Sequence, residues 1–427
     1  MAVTNLGTGG AALDAQSGST SGADTNDPLH LAHAGTNYVY LPGVSSNYMS
    51  VPDAAALDIT GDIDVRAQVA LDDWTPSNET HLVGKWGAPG QLSWIFSVAA
   101  TTGSLILYWS VDGSTFLSRT STVPVPFLNG ERAWVRATLD VNDGGSHTVT
   151  FYTSTDKVPK WAVLGAPVTT AGTTSLFSSS SDVEVGTIYG GSYAYQQACY
   201  RALVYNGIDG TLVLDIDPSV ITTGSATSFT ATTGQTVTIN RSTSGRKAVA
   251  VTAPVWLLGT DDFFEVADNA LLDFGASDSF TVLAVVRQWH DSPATQVLLA
   301  KTTSGASTAP GWRLYTYIGT PYGDISDGAA GPYTSKAATL GAANVVMFER
   351  NVTTDKLTVR VNGTAGAEVT DTTTGTLATS DEMRVGRFSG AGTSYADMEF
   401  LAAAVWRGVR TDAEIALVTS YFTSRWP

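Results

Sequence analysis

Residues that could carry out catalysis are the first feature to weigh in this chain. A glycoside hydrolase needs two carboxylates flanking the sugar bond. The nearest arrangement, Glu265-Val266-Ala267-Asp268, lacks the third acid of a Glu-x-Asp-x-x-Glu strand. No serine sits in a Gly-x-Ser-x-Gly elbow, and no cysteine and histidines have the spacing of zinc ligands. We therefore predict that the chain is not an enzyme and that it needs no organic cofactor.

The histidines and the single cysteine have simpler interpretations than catalysis. Cys199 lies in the apolar run Ala198-Cys199-Tyr200-Arg201-Ala202-Leu203-Val204-Tyr205, which predicts a small buried side chain and excludes an intrachain disulfide. The histidines fall in the N-terminal segment or at predicted loops and edges, where we expect them to be exposed: His30, His33, His81, His147 and His290.

Eleven tryptophans are the candidate contact residues. Trp94, Trp134 and Trp312 occupy strand positions that we interpret as facing inward, where core packing is the default. A second group flanks proline, glycine or polar residues and is predicted to lie at exposed rims. Such residues would stack on a sugar or form a protein interface. This group consists of Trp74, Trp86, Trp161 and Trp289.

Short alternating strands must position these side chains. The run from Ile63 to Leu71 alternates apolar and polar residues with a period of two, as a half-buried strand does. Similar runs follow, separated by turn sequences such as Val111-Asp112-Gly113-Ser114 and Asn142-Asp143-Gly144-Gly145. Because no amphipathic helices lie between the runs, the pattern predicts antiparallel sheets and an all-β fold.

The chain of 427 residues is too long for one ordinary sandwich, and it repeats itself. Asn47–Asp58 resembles Asp262–Asp273, and Lys85 in Leu-Val-Gly-Lys matches Lys301 in Leu-Leu-Ala-Lys. We predict a Gly/Ser-rich arm (1–36), a first sandwich (37–218), a connector with a hairpin turning at Ser242-Thr243-Ser244-Gly245 (219–254), and a second sandwich (255–427). The arm has too few apolar residues to order itself, so an adjacent chain is expected to hold it.

One helix is predicted, at the C-terminus. Thr411-Asp412-Ala413-Glu414 has the sequence of a capping box. The apolar residues behind it should close the second sandwich: Ile415, Leu417, Val418, Tyr421 and Phe422.

Charge and termini exclude several classes of protein. The net charge of −16 leaves no basic stripe for nucleic acid. The first residues lack a secretory signal, and no stretch approaches 18 uninterrupted apolar residues. We expect synthesis in a cytoplasm without export by a signal of this kind and without membrane insertion.

The ordered anchors resemble the laminin-G-like, concanavalin-A-like jelly roll, most clearly in Asp355-Lys356-Leu357-Thr358-Val359-Arg360-Val361-Asn362-Gly363. The resemblance implies two tandem jelly-roll sandwiches. The segment Asn37–Gly43 and the run from Gly259 to Phe274 are also similar to minor tail or other virion structural proteins of actinobacterial phages. That likeness implies a tail or capsid-associated protein, located in the virion, that contacts other virion proteins and further copies of itself.

The resemblance leaves one functional alternative and one metal. The alternative is a lectin-like adhesion module that binds a glycan of the host cell surface. The metal is Ca²⁺, which laminin-G-like folds often hold at the sandwich rim through aspartates and carbonyls. Loop acids of the first domain would be its ligands, although the sequence does not show that they converge and ordinary solvated turn acids explain them too: Asp72, Asp73, Asp112 and Asp143.

Overall fold

The computed structural model describes residues 2–3, 15–17, 29–31, 35–243, 245–259, 262–302, 308–388 and 395–426. These residues form antiparallel strands, a few 3-10 turns and one α-helix, so the prediction of an all-β fold with a C-terminal helix is confirmed. No helix within these ranges has both the length and the apolar character needed to cross a membrane. The strands are numbered along the chain and belong to two compact units.

The first sandwich takes in the described residues of 35–242 and 247–252. Its two sheets are named 1A and 1B. Sheet 1A consists, in spatial order, of β10 (Leu117–Pro124), β9 (Ser104–Trp109), β8 (Leu92–Val98), β7 (Thr80–Trp86), β15 (Val183–Val185), β5 (Tyr48–Val51), β19 (Thr236–Asn240) and β18 (Ser228–Thr230). Sheet 1B consists of β13 (Ala162–Val163), β12 (Ser146–Ser154), β11 (Arg132–Asp143), β6 (Ile63–Ala70), β16 (Gln196–Asn206), β4 (Tyr38–Pro42) and β20 (Val249–Val251), with β14 (Val168–Ala171) beside β12 and β17 (Thr211–Ile216) beside β16.

The second sandwich repeats this arrangement in sheets 2A and 2B, except that no described strand corresponds to β17. Sheet 2A consists of β27 (Tyr333–Ser335), β26 (Thr320–Ser326), β25 (Gly311–Tyr317), β24 (Gln296–Thr302), β32 (Met383–Val385), β22 (Phe264–Val266), β2 (Ala15–Ser17) and β1 (Ala2–Val3). Sheet 2B consists of β30 (Thr364–Ala365), β29 (Lys356–Val361), β28 (Ala343–Asn351), β23 (Phe280–Arg287), β33 (Met398–Arg407), β21 (Val255–Leu258) and β3 (Leu29–Leu31), with β31 (Val369–Thr370) beside β29. The helix α1 (Asp412–Arg425) follows β33, and 3-10 turns lie at Ala55–Leu57, Pro218–Val220 and Ala270–Leu272.

The pleat of the strands divides each sheet into a core face and an outer face. On β6, Ile63 and Val65 are fully buried in the core of the first sandwich, and Asp64 and Arg66 alternate with them on the outer face. The tryptophans Trp94 and Trp312 are core residues of the two sandwiches, as the sequence predicts.

A buried lysine explains the clearest repeat in the sequence. The Lys85 ammonium lies 2.5 Å from Asp53 and 3.3 Å from Asp58, and its side chain is 1% exposed. In the second sandwich the Lys301 ammonium lies 2.7 Å from Asp268 and 2.9 Å from Asp273. Because a buried ammonium needs carboxylates and hydrogen bonds around it, both copies retain the two acids that flank the 3-10 turn.

The predicted connector hairpin is wrong. Strands β19 and β20 flank the proposed turn, but β19 pairs with β5 in sheet 1A and β20 pairs with β4 in sheet 1B. Period-two alternation predicts that a segment is a strand, but it does not predict which strand pairs with it. These two strands lie in opposite sheets of the first sandwich.

Most of the predicted arm lies outside the described residues. Its three described strands pair within the chain: β1 with β2, β2 with β22 and β3 with β21. Ordering of these strands therefore does not require a neighbouring chain.

The capping box of α1 is confirmed. The Thr411 hydroxyl accepts a hydrogen bond from the Glu414 backbone N–H, and the Glu414 carboxylate accepts one from the Thr411 N–H. Ile415 is buried against sheet 2B, and Val418 and Phe422 pack beside it. Leu417 is 72% and Tyr421 is 56% exposed, so the apolar face is narrower than the sequence suggests.

Candidate functional site

A polar groove lies on the outer face of sheet 1B. It encloses about 380 Å³, which is within the range of small-ligand sites in proteins. Its floor comes from side chains on three adjacent strands, and its walls come from the segment before β4 and from loops after β12 and β17. The lining residues are Gly35, Thr36, Asn37, Gln68, Arg132, Trp134, Lys157, Tyr200, Arg201, Asp217 and Ser219.

A second cavity of about 290 Å³ shares part of this lining. It adds Thr155 to Gln68, Arg132 and Lys157. The shared residues make the two cavities one continuous groove, and two cations, Arg132 and Lys157, lie in both parts.

Arg132 lines both parts of the groove. Its Nη2 donates to Gln68 Oε1 at 2.8 Å, and its guanidinium stacks 3.9 Å from the centre of the Tyr200 ring. Its Nε is buried and has no acceptor among the described residues. Burial lowers the pKa of Arg132, and Tyr200 is the group that opposes this effect. The guanidinium is therefore partly desolvated, and no carboxylate in the described ranges pairs with it.

Other arginines of the same sheet face have carboxylate partners. Arg136 and Arg66 both contact Asp64, with Nη2–Oδ2 distances of 2.8 and 2.6 Å. Arg201 makes a bidentate pair with Asp215 at 2.7 and 2.8 Å. Paired guanidinium groups are the expected arrangement in a chain with this excess of acids, which sets Arg132 apart.

Trp134 was predicted to face the core, and that prediction is wrong. Ala133 and Val135 are the core residues of this part of β11, so Trp134 points to the outer face together with Arg132. It is 3% exposed, and its Nε1 has no acceptor within the described part of the chain. An indole N–H left without a partner beside a cavity is a donor available to a bound polar group.

A β-bulge places Tyr200 in the groove. The pairing of β16 with β6 runs from Cys199–Val69 directly to Arg201–Gln68, so Tyr200 is the extra residue. Bulges redirect side chains at binding sites. Here the bulge presents the aromatic ring and the Arg201 side chain next to each other on one face.

Of the four predicted contact tryptophans, Trp161 lies beside the groove. Its ring packs edge-on to Trp134 at 6.1 Å and lies 5.6 Å from the guanidinium groups of Arg66 and Arg136. Trp289 lies on the second sandwich, half-buried, and its Nε1 donates to Glu399 at 2.6 Å.

The rim positions predicted for Trp74 and Trp86 are wrong. Trp74 is 1% exposed because its ring packs on Phe127 and its Nε1 donates to the Glu131 carbonyl at 3.2 Å. Trp86 is 5% exposed and donates to the Tyr189 hydroxyl at 3.3 Å. Neighbouring proline and glycine mark turns, but they do not determine where an indole ring packs.

The four predicted calcium ligands do not form a cluster of three or more acids in the described residues. Asp72 accepts a hydrogen bond from Gln196, Asp73 caps Thr75 and Asp143 accepts from Thr148. Hydrogen bonds from the Thr115 and Ser114 backbone lower the pKa of Asp112 to about 2. Each acid has a local structural partner, and calcium binding stays a prediction.

The surroundings of His81 do not match those of a catalytic histidine. His81 and His147 are buried, not exposed as predicted, because both lie on strands. His81 Nδ1 lies 2.7 Å from Ser97 Oγ and 3.4 Å from Glu79, so serine and carboxylate share one ring nitrogen. A catalytic triad needs them on opposite nitrogens. Burial raises the pKa of the Cys199 thiol to about 12, which leaves it unreactive.

Comparison with known proteins gives distant likenesses. No protein-family model matches the sequence, and no curated protein matches it. Domains LG4–5 of the mouse laminin α1 chain align over 90% of both chains with 11% identity and a TM-score of 0.33. The binding domain of Paraclostridial Mosquitocidal Protein 1 aligns with 40% of this chain and 44% of its own, with 12% identity and a TM-score of 0.34.

A carbohydrate-binding module is also among the similar structures. The CBM40 of Ruminococcus gnavus IT-sialidase, solved with α2,3-sialyllactose, aligns with 36% of this chain and 96% of its own, at 16% identity and a TM-score of 0.27. At these values the likeness carries no functional argument, and the site must be interpreted from its own geometry.

Proposed function

We propose that the chain is a non-catalytic glycan-binding protein whose first sandwich holds a carboxylate-bearing sugar in the groove of sheet 1B. The observation that carries this proposal is the guanidinium of Arg132, which lines the groove and has no carboxylate partner among the residues that the structure describes. A carboxylate of the ligand would supply that partner and would complete the pattern seen at Arg66, Arg136 and Arg201.

The rest of the groove suits the hydroxyl groups of a sugar. Trp134 Nε1 is a free donor among the described residues, and Asn37, Asp217 and Gln68 bring amide and carboxylate groups to the lining. Lys157 adds a second cation at the exposed wall. Polar atoms make up most of the cavity's exposed lining, so a polar ring with several hydrogen-bonding groups fits better than an apolar ligand.

Calorimetric titration tests the proposal with an acidic oligosaccharide that contains a uronic or sialic acid and with its neutral counterpart. Arg132→Gln should weaken binding of the acidic sugar roughly tenfold to a hundredfold, since a hydrogen bond to a charged group contributes about 1.5–3 kcal/mol. Lys160→Gln is the matched control, because Lys160 is 87% exposed in the same loop as Lys157 and does not line the groove.

Two outcomes would contradict the proposal. Equal binding by Arg132→Gln and the unchanged protein would show that the sugar binds elsewhere. If neither the unchanged protein nor Lys157→Gln bound any acidic or neutral glycan on an array, the proposal that the groove binds a glycan would be wrong. The melting temperature of each variant separates a lost contact from a lost fold.

A virion role, as a tail or capsid-associated protein that presents this groove to a host surface, remains a prediction from the sequence resemblance. Partners within a particle and location in the virion rest on that resemblance alone.

A further inference from the structure

The N-terminal strands hold the same places in the second sandwich that the connector strands hold in the first. Sheet 1A ends in the order β5, β19, β18, and sheet 2A ends in the order β22, β2, β1. Sheet 1B ends with β4 followed by β20, and sheet 2B ends with β21 followed by β3. Strands β1–β3 are therefore the topological equivalents of β18–β20.

The sequence supports the same equivalence. The tetrapeptide Ser19-Thr20-Ser21-Gly22 follows β2, and the identical Ser242-Thr243-Ser244-Gly245 follows β19. After each tetrapeptide comes one three-residue strand, β3 or β20, and then β4 in one case and β21 in the other. The chain is thus two copies of one unit, in which a leading segment is followed by a sandwich.

Each leading segment pairs with the sandwich of the other copy. Residues 2–31 precede the first sandwich, yet β2 pairs with β22 and β3 pairs with β21 of the second. Residues 228–251 precede the second sandwich, yet β19 pairs with β5 and β20 pairs with β4 of the first. The two copies have exchanged equivalent strands, which is the arrangement of a domain swap within one chain.

From this exchange we infer that the leading segment is a strand donor, and that the edges of β21 and β22 accept it from a second copy of the chain. Strand addition is held by backbone hydrogen bonds that are the same within one chain and between chains. In the pairings, Gln16 lies opposite Glu265 and His30 opposite Trp256. A donor on one copy and an acceptor on the next form a head-to-tail contact, which builds rings or open filaments.

Protein concentration should determine whether the leading segment pairs within its own chain (the closed form) or with a second copy (the linked form). A segment joined to its own acceptor has a high effective concentration, so dilute protein should keep the pairing within the chain. Linked copies should become more abundant as protein concentration rises.

Disulfide trapping in the full chain tests the inference. Gln16→Cys and Glu265→Cys are made in separate chains, which are mixed at high concentration and oxidised. Cys199 is fully buried and should not react. A covalent dimer is expected in the mixture and in neither variant alone. The chain that carries both substitutions should close within itself when dilute.

Two results would overturn the inference. If the double variant closes but the mixture gives no covalent dimer at any concentration, the strands do not exchange between copies. If the double variant does not close either, the pairing of β2 with β22 is absent in solution and the donor has no acceptor site.

Discussion

The outer faces of sheets 1B and 2B are built on the same pleat and have opposite properties. On β6 the outward positions are Asp64, Arg66 and Gln68; the corresponding positions of β23 are Thr281, Leu283 and Val285. The neighbouring strand repeats the contrast. It has Trp134 and Arg136 opposite Gln68 and Arg66 in sheet 1B, and Val345 and Met347 opposite Val285 and Leu283 in sheet 2B. The first face holds a polar groove, and the second is an apolar surface.

The helix α1 follows from this difference. Leu283, Val285, Val345 and Met347 form a separate apolar cluster with Ile415, and Val418 and Phe422 pack against it. The bulge that places Tyr200 in the groove has a counterpart at Leu401, which contacts the same cluster. An outer sheet face thus becomes either a binding site or a second core, according to a handful of side chains and the availability of a covering helix.

The largest expected effect on stability comes from removing the acids around the buried lysines, which both sandwiches share. Replacing Asp53 and Asp58 together by Ala leaves the Lys85 ammonium buried without a carboxylate. Breaking a buried ion pair by removing one side costs about 3–5 kcal/mol. Replacement of Asp268 and Asp273 should cost the second sandwich a similar amount, measured by amide hydrogen exchange of each sandwich.

The exposed pair of Asp156 with Lys160 is the control, and Asp156→Ala should change stability by less than about 0.5 kcal/mol. Losses below about 1 kcal/mol in both double variants would show that the lysines reach water without their acids. The repeat would then need another physical explanation.

Truncation of one side chain of α1 tests whether the helix covers the outer face of sheet 2B. Ile415 is 3% exposed, and Ile415→Ala should destabilise the second sandwich by about 2–5 kcal/mol through loss of packing and the cavity left behind. Leu417→Ala, at a position 72% exposed on the same helix, should cost less than about 0.5 kcal/mol. Equal effects of the two substitutions in urea unfolding would mean that α1 does not cover sheet 2B.

The smallest expected effect concerns Glu184, whose counterpart on β32 is Arg384. Arg384 pairs with Glu265 at 2.7 Å, whereas Glu184 accepts hydrogen bonds from the Gly190 backbone N–H. Burial raises the pKa of Glu184 to about 7, and the nearby Asp182 adds to the rise. The charged form is disfavoured in the folded state, so this group stabilises the fold fully below about pH 4.5 and loses that contribution as pH rises through 7.

Glu184→Gln should therefore remove a pH dependence of about 1–2 kcal/mol between pH 4.5 and 8. Amide hydrogen exchange of β5, β7 and β15 measures the unfolding free energy of both proteins across this range. The variant should become more stable relative to the unchanged protein as pH rises. A difference that does not vary with pH would show that Glu184 keeps its ordinary pKa.

Much of the fold could be predicted from the sequence because core residues recur with a period of two and the same anchors appear twice. The outward orientation of Trp134 could also have been predicted from the sequence. It shares its parity with Arg132 and Arg136, whereas Ala133 and Val135 form the apolar set. The size of the indole favoured the wrong interpretation over the alternation.

The groove itself could not be predicted. It depends on the bulge at Tyr200 and on the segment at Thr36 and the loop at Lys157, which meet only in the folded chain. That Arg132 has no carboxylate partner in the described part of the chain is likewise a property of the folded sheet face, because the sequence shows the excess of acids but not which arginine lacks one. Strand alternation also could not show that the leading segments exchange sandwiches.

The pairing of β2 with β22 has a consequence for synthesis on the ribosome. Glu265, the partner of Gln16, is added about 250 residues after it during synthesis. At about 5–20 residues per second, β2 waits roughly 12–50 s after its own synthesis before Glu265 is added. During that interval, a neighbouring chain on the same polysome that has already completed β32 and the rest of its second sandwich offers β2 an acceptor edge.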